Sequence, residues 1–460
     1  MNGAGKALFG GTLVAVVTSF PYVLHLREAL PGGVFDGPRQ LLLWLPWQLH
    51  ANVHAGRGLF ECAAFPVVAH PLLEIIGNPG AALLLAPLHA LGEPVLAWNL
   101  GILLLGASNA IAAWWLASTV RGAAPWLAAL LVSGAWGWSQ LSSGATPVGW
   151  LAPGLVAAAL ARTDHARASF ALGLLGALTA PLPTAICLLW SGHWGRAAAC
   201  VGALMMVPPL GATGELPGFT LGSLSWPGAG ATVALPLATL GLLAVLASRK
   251  RPVLAAALAL ALVGAAGSVA VEAYSVRWPA FPAPRSIVAA VSLTALLTAL
   301  PFLRPRGVLA PVLALLLAVE PTLQTRSGQP GTPWTGAVLN VPAVFARMDA
   351  TRSGVLLQLP FGGVTEGAVG WIPFHHRPVT GGPGETRDGL VREAMRAAIA
   401  RDPVFQAASL AVESNEPVAL RGGWEWALLY GDDTESRRRA RAVFGEPTTT
   451  EPGLWAWKLR

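Results

Sequence analysis

Apolar runs fill most of the first 321 residues, at about 6 to 26, 94 to 117, 122 to 138, 146 to 161, 168 to 192, 196 to 211, 229 to 248, 252 to 273, 284 to 302 and 307 to 321. A hydrocarbon core about 30 Å thick accepts only backbone whose hydrogen bonds close within the protein, so runs of this kind must be helices. Charge is displaced accordingly. Of 23 Asp and Glu, 9 lie in residues 1 to 321 and 14 in 322 to 460. Charged residues make up 12% of the chain, about half the share in a soluble domain. The chain therefore reads as a membrane part, 1–321, and a soluble part, 322–460, long enough for its own core. The run from Lys6 to Leu26 has no small-residue cleavage site after it and is followed by further spans, which makes it a retained first helix.

The net charge of +7 raises nucleic acid as a partner, but 27 of the 30 basic residues are Arg, as a GC-rich genome gives. In the membrane part they sit mostly in loops, where orientation accounts for them and no nucleic acid is expected. Cys62, Cys187 and Cys200 have neither metal nor disulfide spacing. Placing Arg121, Arg162 with Arg167, Arg196, Arg249-Lys250-Arg251, and Arg304 with Arg306 in the cytoplasm requires an even number of crossings between neighbouring clusters. The run 168–192 must then turn back at Thr179-Ala180-Pro181-Leu182-Pro183 as two short helices meeting on the outer side. Residues 70–91 must not cross; they hold His70, Glu74, the Gly77-Asn78-Pro79-Gly80 breaker and His89, and the apolar stretch from Ala81 is too short to span.

Residues 40–55 interleave Trp44, Trp47, His50 and His54 with Leu at helical spacing, the pattern of an amphipathic interfacial helix. The expected architecture is an all-α polytopic membrane domain of about 11 transmembrane helices plus outer interfacial helices, followed by a small α/β soluble domain. The N-terminus is cytoplasmic and the C-terminal domain extracytoplasmic, in a plasma membrane of bacterial type. The outer loop 27–93 carries both interfacial segments, Glu61 and Asp36, one of only two aspartates in the first 321 residues. In the tail the sequence predicts strand 354–359, a Gly-rich loop at 380–384, helix 386–400, strands near 417–430 and 453–459, and a basic exposed helix around Arg437 to Arg441. His375-His376-Arg377 either faces the active site or is a solvated loop.

An Asp in the first outer loop, interfacial helices after it and a helical hairpin broken at Thr179-Ala180-Pro181 resemble the glycosyltransferase-C superfamily, which includes protein O-mannosyltransferases and lipid A aminoarabinose transferases. Glu93-Pro94-Val95-Leu96-Ala97-Trp98-Asn99-Leu100, Arg277-Trp278-Pro279 through Pro284-Arg285, Val355-Leu356-Leu357-Gln358-Leu359-Pro360 and His376-Arg377-Pro378-Val379-Thr380-Gly381-Gly382 are similar to stretches of large uncharacterised bacterial membrane proteins of that superfamily. The resemblance implies sugar transfer from a polyprenyl-phosphate donor to an acceptor on the outer face, with membrane lipids as surroundings and Asp36 as the base. The chain departs from the pattern in two places. Ala180 stands where members often keep a Lys for the lipid phosphate, and the second outer loop, Ser139-Gln140 to Pro147, lacks a second acidic residue.

Such chemistry needs a base for the acceptor hydroxyl and cations for the leaving phosphate. Asp36 meets the first need or caps the following helix. Glu61 assists it, helps to hold a divalent ion, or is a solvated carboxylate. His50 and His54, at i and i+4, put two imidazoles on one helix face, which suits a metal ion or a polar helix face. Arg39, Arg57, Arg277 and Arg285 are the candidate phosphate clamps, since guanidinium pairs two oxygens at once. Trp98 is a candidate stacking face, and Gln140 is the substrate-binding candidate of the second loop. The competing classes are a catalytically silent relative that binds envelope lipids or glycans, and a transporter, which would need ionisable groups in mid-membrane that the spans hardly offer.

Overall fold

The computed structural model describes residues 3–19, 22–27, 29–31, 37–61, 80–133, 141, 150–179, 181–192, 297, 336–339, 341–348, 355–359, 369–379, 424–431 and 434–459. Outside them lie the expected spans 196–211, 229–248, 252–273 and 307–321, the run 284–302 apart from Leu297, the Gly-rich loop and helix 386–400.

Two helices frame the N-terminal part, α1 (Gly3–Ser19) and, past the outer-loop elements, α4 (Pro94–Ser118). Helix α4 opens on Pro94, whose fixed φ suits the first helical position and whose missing N–H has no partner to lose there. The two run antiparallel. A Cβ on Gly11 would meet the backbone of Ile111 at 2.6 Å, and a Cβ on Gly10 would meet the Trp114 ring. At their other ends Asn99 Nδ2 donates to the Leu26 carbonyl at 2.6 Å, and Arg27 pairs with Glu93 at 3.4 Å. Small residues thus let the two backbones close up. The segment between α1 and α4 leaves and re-enters at one end of the bundle.

The remaining bundle helices are α5 (Pro125–Ser133), α6 (Ala152–Arg162), α7 (Ala166–Thr179) and α8 (Pro181–Trp190). Asn109 of α4 caps α6: its Oδ1 accepts from the Leu151 and Ala152 amides, both at 2.8 Å, which satisfies donors a helix start leaves open. The chain turns back between Thr179 and Pro181. A Cβ on Gly176 would strike the Thr184 side chain, and the Thr184 Cα lies 2.9 Å from a Cβ on Gly154. Arg162 and Trp190, the ends of α6 and α8, meet with the guanidinium 5.2 Å from the ring centre. The ring and the cation close the end of the hairpin opposite its turn.

Among the described residues one helix, α4 with 25 residues, is long and apolar enough to cross a membrane. Helices α6 to α8 extend only about 15–21 Å at 1.5 Å per residue, less than the roughly 30 Å hydrocarbon core. Large apolar side chains nevertheless face outward: Leu8, Phe9, Leu13, Val16 and Val17 on α1, and Phe170, Leu174 and Leu175 on α7. In the described tail Val341 alone does so. Apolar surface of this kind marks contact with lipid or with other protein.

The outer-loop elements are β1 (Ala29–Pro31), α2 (Gly37–His54), α3 (Gly80–Leu85) and a 3-10 turn at Ala86–Leu91. The tail supplies β2 (Gly336–Val338), α9 (Ala343–Arg347), β3 (Val355–Leu359), a 3-10 turn at Val369–Trp371 running into α10 (Ile372–His375), β4 (Trp424–Tyr430), α11 (Thr434–Phe444), β5 (Thr449–Glu451) and β6 (Leu454–Lys458). The main sheet has the order β3-β4-β6-β5, with β3 and β4 parallel and the other pairs antiparallel. β5 and β6 join through Pro452–Gly453, where glycine takes φ +74°. The strands differ from expectation by only one residue at most of their bounds, while the strand expected from 417 is described from Trp424. Both faces of the sheet are covered: Trp426, Leu428, Leu454 and Ala456 share one core cluster, whereas Trp457 packs on Phe444 of α11 from the other face.

The first face of that sheet is covered by a helix of the outer loop. Trp44, Leu45 and Leu49 of α2 belong to the same core cluster as Val344, Phe345, Leu356, Ile372 and Leu428 of the tail, and Trp44 is 0% exposed. β1 pairs antiparallel with β2, Ala29 opposite Val338 and Pro31 opposite Gly336. The apolar stripe that marks α2 as interfacial in sequence is thus buried in protein. Periodicity tells that a stripe must be covered but not by what.

Candidate functional site

Asn52 organises the polar end of α2. It is fully buried and accepts from Gln48 Nε2 at 2.8 Å, while its own Nδ2 donates to the carbonyls of Leu59 at 3.0 Å and Glu61 at 2.6 Å. The Arg57 amide returns to the Asn52 carbonyl, and Gly56 makes the reversal with φ +64°. Loop 55–61 is therefore folded back on the helix end, with Arg57 and Glu61 both exposed.

Glu61, expected to assist Asp36, to help hold a divalent ion or to be a solvated carboxylate, is exposed at the end of α2 remote from Gly37. Fifteen residues of helix separate Gly37 from Asn52, about 22 Å at 1.5 Å per residue, and the Glu61 carbonyl is tied to Asn52. Asp36 itself lies outside the described residues, but its chain neighbour Gly37 opens α2. Arg39 is in the first turn of α2, at the Asp36 end, and Arg57 is at the other. Gln140, Arg277 and Arg285 lie outside the described residues.

Trp98, the candidate stacking face, lies in the bundle core. It is 3% exposed inside the bundle core, and its indole N–H is buried without a hydrogen-bond partner among the described residues. A ring enclosed by core side chains presents no face to a sugar.

His50 and His54 lie side by side, ring centres 5.1 Å apart and planes at 81°. His89, 8% exposed in the 3-10 turn against α2, joins them. Burial pulls His89 down to about 4, with the nearby His50 adding to the shift, and burial followed by His54 lowers His50. Neutral imidazoles are what a metal needs, yet among the described residues no three His, Cys, Asp or Glu converge closely enough to hold an ion.

The tail contributes a second group, for which the sequence leaves open an active-site face or a solvated loop. His375 is 1% exposed and Arg377 0%; Arg377 Nη1 meets Glu425 Oε2 at 2.8 Å, and the Arg377 amide donates to His375 Nδ1 at 3.1 Å. Burial, with the charges of His376 and Arg377 behind it, pushes His375 down to about 3. His376 stacks on Trp47 of α2, ring centres 5.6 Å apart and planes at 19°. The signal missed in sequence was pairing across distance, since Glu425 is a lone acid in an otherwise apolar strand. The basic helix α11 is exposed as expected: Glu435 binds Arg438 and Arg439, and those bonds, Arg438 first, hold its carboxyl down to about 2.

Two buried neutral imidazoles set a pH dependence. The unfolded chain takes up protons on His89 and His375 below the ordinary value of 6.5, whereas the folded chain does so only near 4 and near 3. Unfolding therefore binds protons in that window, so stability is fully present above pH 6.5 and falls as the pH drops. His89 accounts for a loss of about 3 kcal/mol by pH 4. Denaturant midpoints of the full-length chain from pH 7 to 4 should fall, and His89→Gln should flatten the fall; an unchanged slope in that variant would refute the assignment.

Neither protein-family models nor the curated proteins give a match to this chain.

Proposed function

We propose that this chain is an integral membrane glycosyltransferase, of the glycosyltransferase-C type, that moves a sugar from a polyprenyl-phosphate donor to an acceptor on the outer face of the membrane. Asp36 is the general base: it removes the proton of the acceptor hydroxyl as that oxygen attacks the anomeric carbon and the polyprenyl phosphate leaves. Arg39, Arg277 and Arg285 are the cations assigned to that phosphate. A glycosyl-phosphate bond already carries a good leaving group, so positioning and charge are what the protein must supply.

The observation that supports this reading most is the gathering of the outer loop and the tail at one end of the bundle. β1 pairs with β2, α2 lies in the tail's core, and α1 and α4 meet the loop at that same end. Asp36 directly precedes α2 in this part of the chain, and outward-facing apolar helices beside a water-compatible unit are the surroundings a lipid-linked sugar needs. A catalytically silent relative that binds envelope lipids or glycans is the second reading, favoured by Ala180 in place of the hairpin Lys and by the missing second acid.

Two measurements on the full-length chain in vesicles test the proposal. With the three native cysteines replaced, Asp36→Cys should react with a membrane-impermeant thiol reagent from the outer side, and the wild type should transfer sugar from polyprenyl-phosphate donor supplied there. Labelling from the cytosolic side removes Asp36 as the catalyst. Donor binding without turnover selects the silent relative.

A further inference from the structure

His376 ends α10 as a left-handed C-cap, a backbone conformation uncommon outside glycine. At φ 56° and ψ 24° it sits in the left-handed region, which glycine enters freely and other L-residues seldom do. Among the described non-glycine residues Asp164 alone shares it, and aspartate and histidine are the types, with asparagine, that enter it most readily. Strain of this kind persists only where its surroundings fix it, and here they do. The His376 amide donates to the Ile372 carbonyl at 2.8 Å, and its two neighbours, His375 and Arg377, are buried, Arg377 against Glu425.

What the turn achieves is to lay the imidazole on Trp47. That indole shares a helix face with His50 and His54, three and seven residues on, and Trp44 and Leu45 beside it are already buried in the tail's core. A glycine at 376 would make the turn more easily but would leave Trp47 uncovered.

We propose that His376 is a positioning residue of the outer-face site: by stacking on Trp47 it fixes the pose of α2, the helix that begins directly after Asp36, so that the tail is a working part of the site. The catalytic half of this statement rests on the glycosyltransferase reading; the stacking half does not.

Hydrogen exchange of the α2 amides in the full-length chain in vesicles separates the two. His376→Gly removes the ring while relieving the backbone, and Trp47→Leu removes the face it covers. Each should speed exchange over residues 43–54 by roughly two- to tenfold, the range a stacked aromatic pair supports. The double variant should be no faster than the faster single one, because both delete one contact. In turnover, His376→Gly should lower kcat and leave KM for the donor unchanged. Unaltered exchange in His376→Gly, or additive effects in the double variant, overturns the proposal. A wild type without transfer defeats the glycosyltransferase reading alone, since exchange still decides the contact.

Discussion

Asp36→Asn should lower sugar transfer by about 10²–10⁴-fold, the range that loss of a positioned general base gives, while membrane insertion and stability stay as in the wild type. The amide is nearly isosteric with the carboxylate but accepts no proton at neutral pH. It also discriminates against the bland account of this residue. Asp36 precedes Gly37, the first residue of α2, and asparagine caps a helix about as well as aspartate. A residue that only caps would therefore tolerate the change, and activity would persist. Asp36→Ala is the complement, losing both roles. Transfer by Asp36→Asn within a factor of two or three of wild type would end the catalytic claim, and equal thermal stability of the two proteins would show that folding is not the cause of any loss.

The sequence makes legible what depends on local pattern. The turn between Thr179 and Pro181, the opening of α4 at Pro94, strand β3 and the exposed helix α11 all follow from prolines, apolar runs and alternation over a few residues. What it hides depends on partners distant in the chain. The stripe of Trp44, Leu45 and Leu49 is equally well satisfied by lipid or by a sheet, and only the folded chain brings Leu356 and Leu428 against it. Trp98 carries no mark in sequence that separates an interfacial ring from a core one. Gly37 and Glu61 are close in sequence, yet α2, 18 residues long, puts them at opposite helix ends. His375-His376-Arg377 is polar in composition and reads as an active-site face or a solvated loop, but Glu425, nearly fifty residues on, draws Arg377 inside. Asn99 and Asn109, polar residues in the most apolar helix, bind backbone groups of other segments and hold the bundle together.

Glu425→Gln should destabilise the tail by about 3–5 kcal/mol, the range seen when one member of a buried ion pair is removed. Arg377 is 0% exposed and cannot give up its proton, so loss of the carboxylate leaves a desolvated guanidinium with a weaker neutral neighbour. Strand β4 carries Glu425 next to Trp426, Ala427 and Leu428, all buried, so relaxation toward water would disturb the sheet at its centre. The effect should spread to α2, because Trp426 and Leu428 share a core with Trp44 and Leu49. Denaturant unfolding of the full-length protein, read together with amide exchange in β3, β4 and α2, measures it. The double variant Arg377→Met with Glu425→Leu is the decisive comparison. Replacing both charges with apolar groups of similar volume is often neutral or stabilising, so it should recover most of what Glu425→Gln loses. If instead the double variant is at least as unstable as the single one, the guanidinium is needed for contacts beyond the ion pair. If Glu425→Gln costs less than about 1 kcal/mol, the pair is solvated as exposed pairs are, and the enclosed turn that presents His376 to Trp47 is not held by it.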